Sequence, residues 1–85
     1  MLVYVNKFWV TYRFEEFYIK LIRESPDGER QIGEIFATPR QVKTLMRILE
    51  VLVEEYEERF GEIPEPTLER EEKGKKDYMP PYYIR

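Results

Sequence analysis

The sequence predicts an α+β fold: a three-stranded antiparallel sheet (β-β-β), then one long amphipathic helix, then an extended C-terminal tail. Three observations point there. Between Leu2 and Ala37, segments rich in Val, Ile, Tyr, Phe and Trp alternate in polarity as half-buried strands do. From Thr38 to Gly61 the apolar residues recur at three- and four-residue steps, which is the helical period. After Ile63 both patterns stop, and prolines and mixed charges take over. The organisation expected is a β-β-β-α domain over residues 1–63 and an extended or flexible arm over 64–85.

The first strand is expected over Leu2–Tyr12, with Lys7, Trp9, Thr11 and Arg13 on one side. The second covers Glu16–Arg23, with Phe17, Ile19 and Leu21 on one face and Tyr18, Lys20 and Ile22 on the other. The join between them holds neither Gly nor Pro, so no turn type follows from it. Ser25-Pro26-Asp27-Gly28 is a clear turn, because Pro presets φ at the second position, Asp tolerates the third and Gly follows. The third strand, Gln31–Ala37, then pairs back antiparallel and runs straight into the helix.

That helix has both ends written into it. Thr38 is the N-cap, Pro39 suits the first helical position, and Gln41 completes a capping box. Gly61 can take the left-handed (αL) conformation that ends a helix, and Pro64 prevents its resumption. Val42, Leu45, Met46, Leu49, Leu52, Val53, Tyr56 and Phe60 form one continuous stripe, while Ile48 and Val51 widen it. Three short strands cover about half of a helix ~33 Å long.

At 85 residues the chain is one domain, and without its tail roughly 60 residues remain to build a core. With no cysteine or metal motif, oligomerisation is the expected remedy for so thin a core. The expected oligomer interface is Val42, Leu45, Ile48, Leu49, Val51, Leu52 and Tyr56, which makes the first expected partner a second copy of the chain. The helix charges support this. Arg40, Lys43 and Arg47 occupy its first half and Glu50, Glu54, Glu55, Glu57 and Glu58 its second, against the macrodipole but complementary to an antiparallel copy.

The absence of Cys and His excludes a disulfide framework, Cys/His zinc sites, a thiol nucleophile and a histidine base. No cofactor motif is present, and a clustered helix face of glutamates lacks the ligand geometry of a dedicated cation site. The expectation is a protein that is not an enzyme and takes no cofactor or metal. A net charge of −3 argues against non-specific attraction to nucleic acid or anionic membrane. The apolar run MLVYV is broken at Asn6 and Lys7, too short for a secretory core or a membrane span, so a cytoplasmic location without membrane contact is expected. A charged fraction of 36% with one Asn and two Gln resembles thermophile composition.

Three local constellations compete with the plain alternative of side chains that are simply solvated. Lys7, Trp9, Arg13, Tyr18 and Lys20 put aromatic and basic side chains on one sheet face, the pattern by which single-stranded nucleic acid is stacked and neutralised. Strands followed by one long helix also resemble the Whirly-type single-strand DNA binders, a likeness of architecture alone. Arg40, Lys43 and Arg47 at the helix start form a candidate anion site, weakened because Pro39 lacks a donor and no Gly-rich loop precedes it. In the tail, Tyr78, Met79, Tyr82 and Tyr83 surround Pro80-Pro81. Such a cluster either docks on its own oligomer or serves as a linear motif for another protein.

The run from Ile35 to Ile63 resembles a family of short uncharacterised bacterial and archaeal proteins, a domain-of-unknown-function group, whose helix reads like SPxxAKxLLxxLxxNIxxYEExFGEI. The matching residues are Thr38, Pro39, Lys43, Leu45, Leu49, Tyr56, Glu57, Glu58, Phe60, Gly61, Glu62 and Ile63, with Glu16, Phe17, Ile19 and Leu21 similar to its strand motif. The chain departs at Thr38 for Ser, Val42 for Ala and Leu52 for Asn. The resemblance implies a shared fold over residues 6 to 63 and no known activity.

Overall fold

The computed structural model describes residues 2–74 and 77–84; Met1, Lys75, Lys76 and Arg85 lie outside the described residues. The chain runs β1 (Lys7–Tyr12), β2 (Phe17–Ser25), β3 (Gly28–Ala37), α1 (Pro39–Phe60), β4 (Leu68–Arg70) and β5 (Tyr82–Ile84). All strands join one antiparallel sheet in the order β3-β2-β1-β5-β4. The α+β class and the single helix are as expected, but the sheet has five strands where three were expected. The two extra strands come from the region after Ile63. They are three residues each and carry no apolar alternation; the β1 edge takes β5, and β5 in turn takes β4.

β1 begins five residues later than expected. The side chain of Asn6 donates to the Glu24 carbonyl at 2.8 Å and accepts from the Glu24 N–H at 2.7 Å, taking the place of a backbone pair. β1 and β2 are joined by a tight loop closed by reciprocal Arg13 and Glu16 backbone bonds of 2.9 and 3.3 Å, with Phe14 at its tip. The Pro26-Asp27 turn carries β2 into β3, Ser25 pairs with Gly28, and Gly28 has φ +121°, which disfavours other residues. A register shift between Leu21 and Ile22 lets Gln31 pair with Ile22, so Ile32 is an extra residue in β3.

The capping box forms as read: Thr38 Oγ1 accepts from the Gln41 N–H and Gln41 Oε1 accepts from the Thr38 N–H, both at 3.2 Å. At the other end the Gly61 N–H donates to Glu57 O at 3.0 Å, and Gly61 sits at φ 103°, ψ 166°, a region reserved for glycine but not the αL cap anticipated.

The helix leaves the sheet instead of lying on it. Strand-to-strand contacts dominate the tertiary structure, and α1 has no packed partner of comparable extent among the described residues. A compact chain of this length would have a radius of gyration of about 12 Å; the observed value is 14.4 Å. Among the described residues the buried set is correspondingly small: Ile22, Thr11 and Pro81.

Candidate functional site

The register sorts the sheet into two unlike faces. Because partners across a ladder share a side, β1–β2 pairing of Trp9 with Lys20 and Thr11 with Tyr18 assembles one face. β2–β3 pairing of Tyr18 with Phe36 and Lys20 with Glu34 extends it, and Trp9 opposite Tyr83 carries it onto β5. The other face holds Phe8, Val10 and Tyr12 from β1, Phe17, Ile19 and Leu21 from β2, Ile35 and Ala37 from β3, and Tyr82 from β5.

The first face mixes aromatic rings with paired charges, and Phe36 on it is 55% exposed. Tyr18 stacks on Phe36 with ring centroids 4.6 Å apart and meets the Trp9 edge at 5.9 Å. Its hydroxyl donates to Glu34 at 2.5 Å, and burial together with that carboxylate pushes the phenol up to about 12. Lys20 stands over the Trp9 ring at 4.1 Å, while Trp9 Nε1 donates to Glu71 at 3.0 Å. Lys7 is held between Glu29 at 2.5 Å and Glu24 at 3.4 Å. The Glu29 hydrogen bond raises the Lys7 pKa, and the Lys7 bond lowers that of Glu29. Arg13 pairs with Glu16 and Glu15 at 3.5 Å and with Asp77 at 3.9 Å. The structure thus brings Lys7, Trp9, Tyr18 and Lys20 together as the sequence suggests and puts Arg13 at the border. It also interleaves them with carboxylates that sequence spacing did not reveal, because Glu34 arrives from β3 and Glu71 from the segment just after β4.

The tail is part of this face. The Met79 N–H donates to Tyr12 O at 2.9 Å, and the buried hydroxyl of Thr11 donates to the Met79 carbonyl. Tyr78 lies 5.0 Å beneath the Arg13 guanidinium and donates to Glu16, a bond that raises its phenol pKa. Tyr83 has Lys7 5.4 Å over its ring, and Tyr82 faces the other way under Arg70 at 4.6 Å. Pro81 is fully buried. A Cβ on Gly74 would collide with the Tyr78 carbonyl, so this close approach requires glycine.

The second face is apolar and open. Phe8, Tyr12, Ile35 and Tyr82 are each more than 40% exposed. So is the helix stripe: Leu45, Ile48, Leu49, Leu52 and Tyr56 are 47–52% exposed, as is Val51 on the far side of the helix, with only Val42 of the expected interface half-buried. Arg23 and Arg30, cross-strand neighbours at the turn end of this face, take part in no ion pair among the described residues.

At the helix start, Arg40, Lys43 and Arg47 are exposed, and Arg47 pairs with Glu50 at 3.6 Å. The capping box already uses the Gln41 N–H and Pro39 has none to give. Among the described residues no cluster of acids has metal-binding geometry, and no helix is long and apolar enough to cross a membrane.

Comparison with known proteins finds no match among curated proteins or solved structures. One family model, described as a protein of unknown function (DUF3467), matches residues 2–65, which span all of β1–β3 and α1. The chain therefore belongs to the DUF3467 family of proteins of unknown function.

Proposed function

We propose that this chain is a self-associating structural or adaptor module whose working unit is a homo-oligomer built through α1 and the apolar sheet face. The observation that carries the reading is the pair of uncovered apolar surfaces in a chain where, among the described residues, the only buried large aliphatic is Ile22, at 8% exposure. Contiguous apolar area of this kind marks an interaction site, and an amphipathic helix of 22 residues gains most of its stability from packing. The polar face and the docked tail stay outside such an interface and supply the surface by which an adaptor would meet another protein. Hydrogen exchange tests the proposal: amides of Leu45–Tyr56 should be protected far beyond an isolated helix at micromolar concentration and lose protection on dilution. Exchange of those amides at near random-coil rates would refute it.

The second reading is single-strand nucleic-acid binding through Lys7, Trp9, Tyr18 and Lys20, which one face does gather. It ranks lower because Lys7 is already paired with Glu24 and Glu29 and the rings are bordered by Glu34 and Glu71. Binding would have to displace these carboxylates before phosphates gained their partners. Quenching of Trp9, the lone tryptophan, by an oligonucleotide with steep salt dependence would promote this reading over the first.

A further inference from the structure

We infer that α1 covers the apolar sheet face of a second copy, in a reciprocal helix exchange. This deepens the self-association reading and rests on it.

The strand-to-helix junction is the first argument. β3 ends at Ala37 and α1 begins at Pro39, leaving Thr38 alone between them. Turns that fold a helix back over the strand it follows use about 2–6 residues. Here the single connecting residue precedes proline, which disfavours the α region for it, and Thr38 is extended at φ −67°, ψ 156°. The helix is therefore launched away from its own sheet. A short connection of this kind favours exchange between copies over closure within one.

Size and charge then select the occupant. The 22-residue helix is ~33 Å long at 1.5 Å per residue, and the ten-residue β3 is ~33 Å at 3.3 Å per residue. At roughly half of 150–200 Å² per large side chain, the exposed stripe and sheet face together present on the order of 1,000 Å² per copy, comparable with the ~800 Å² per partner of a stable interface. Lying antiparallel to β3, the helix of a second copy brings its Glu-rich C-terminal half to the turn end of the sheet. That is where Arg23 and Arg30 sit side by side, a like-charge pair that gains from an acidic cover. A self-complementary patch of this kind closes as a two-fold dimer.

Complementation between two variants tests the exchange. Ile19→Glu spoils the sheet face and Leu49→Lys spoils the helix stripe, so each alone should dimerise at least tenfold more weakly than the wild type. Co-refolded in equal amounts, they should recover a heterodimer in native mass spectrometry, because one helix–face pair is then wild type and the other joins opposite charges. Should either variant fail to fold alone, recovery in the mixture remains the deciding readout. A helix-to-helix dimer predicts instead that Ile19→Glu stays dimeric and that mixing rescues nothing; either result overturns the exchange. A wild-type chain that is itself monomeric would remove the self-association reading first, so the two failures are distinguishable.

Discussion

Replacing Thr11 with valine tests how the tail is held. Thr11 is 3% exposed and its hydroxyl donates to the Met79 carbonyl, while the adjacent Met79 N–H is bonded to Tyr12. Valine keeps the volume and the strand preference but removes the donor, leaving a carbonyl turned toward a methyl group. The bond is part-buried, so orphaning its acceptor costs ~1 kcal/mol or more, the low end of the range for a buried group. With a urea slope of about 1 kcal/mol/M for a small domain, the unfolding midpoint should fall by about 1 M or more. Trp9 fluorescence is the natural reporter, because its strand receives β5 and its indole N–H reaches Glu71. The comparison must be made at one protein concentration, since the proposed assembly would be linked to folding. The control is the same substitution in a chain ending at Asp77. There the hydroxyl faces water, and the change should fall within about 0.5 kcal/mol. An equal cost in both backgrounds, or none in the full chain, would refute the claim that this bond anchors the tail.

Further outcomes follow from other elements. Thr38→Ala removes one arm of the capping box and should cost about 1 kcal/mol, read by thermal unfolding in far-UV circular dichroism. Tyr18 holds its proton more tightly folded than unfolded, because its phenol is raised to about 12 by burial and Glu34. Its contribution is therefore complete below pH ~10 and lost as pH rises through about 12, so the stability gap between wild type and Tyr18→Phe should narrow over that window. Reversing Arg23 and Arg30 to Glu should weaken dimerisation at low salt and much less at high salt, where screening removes the difference; equal weakening at both salts would mean that charge does not orient the helix.

The parts of the fold that were legible in the sequence are those with local causes. The Thr38 cap, Pro39, the Ser25–Gly28 turn and the Gly61 stop each act within a few residues, and α1 and the β2–β3 hairpin lie where those signals put them. Alternation placed Tyr18 with Lys20 on one side of β2, and the β1–β2 register then puts Trp9 on that same face. What was not legible depends on partners distant in sequence. Strand β5 forms on the β1 edge and β4 on β5, and Thr11 with Met79 or Trp9 with Glu71 are contacts across more than 60 residues. The five-residue shortening of β1 turns on an amide, Asn6, whose ability to replace a ladder pair has no periodic signature. Carboxylates on the polar face were likewise visible as residues but not as neighbours of Lys7 and Trp9.

The most direct test of the account is the molar mass of the wild-type chain by light scattering at micromolar concentration. A single chain has a mass of 10.5 kDa. Two uncovered apolar surfaces that complement each other predict about twice that value, falling toward one chain only on dilution. A mass of 10.5 kDa across the micromolar range, with α1 still helical, would contradict the claim that a second copy covers it.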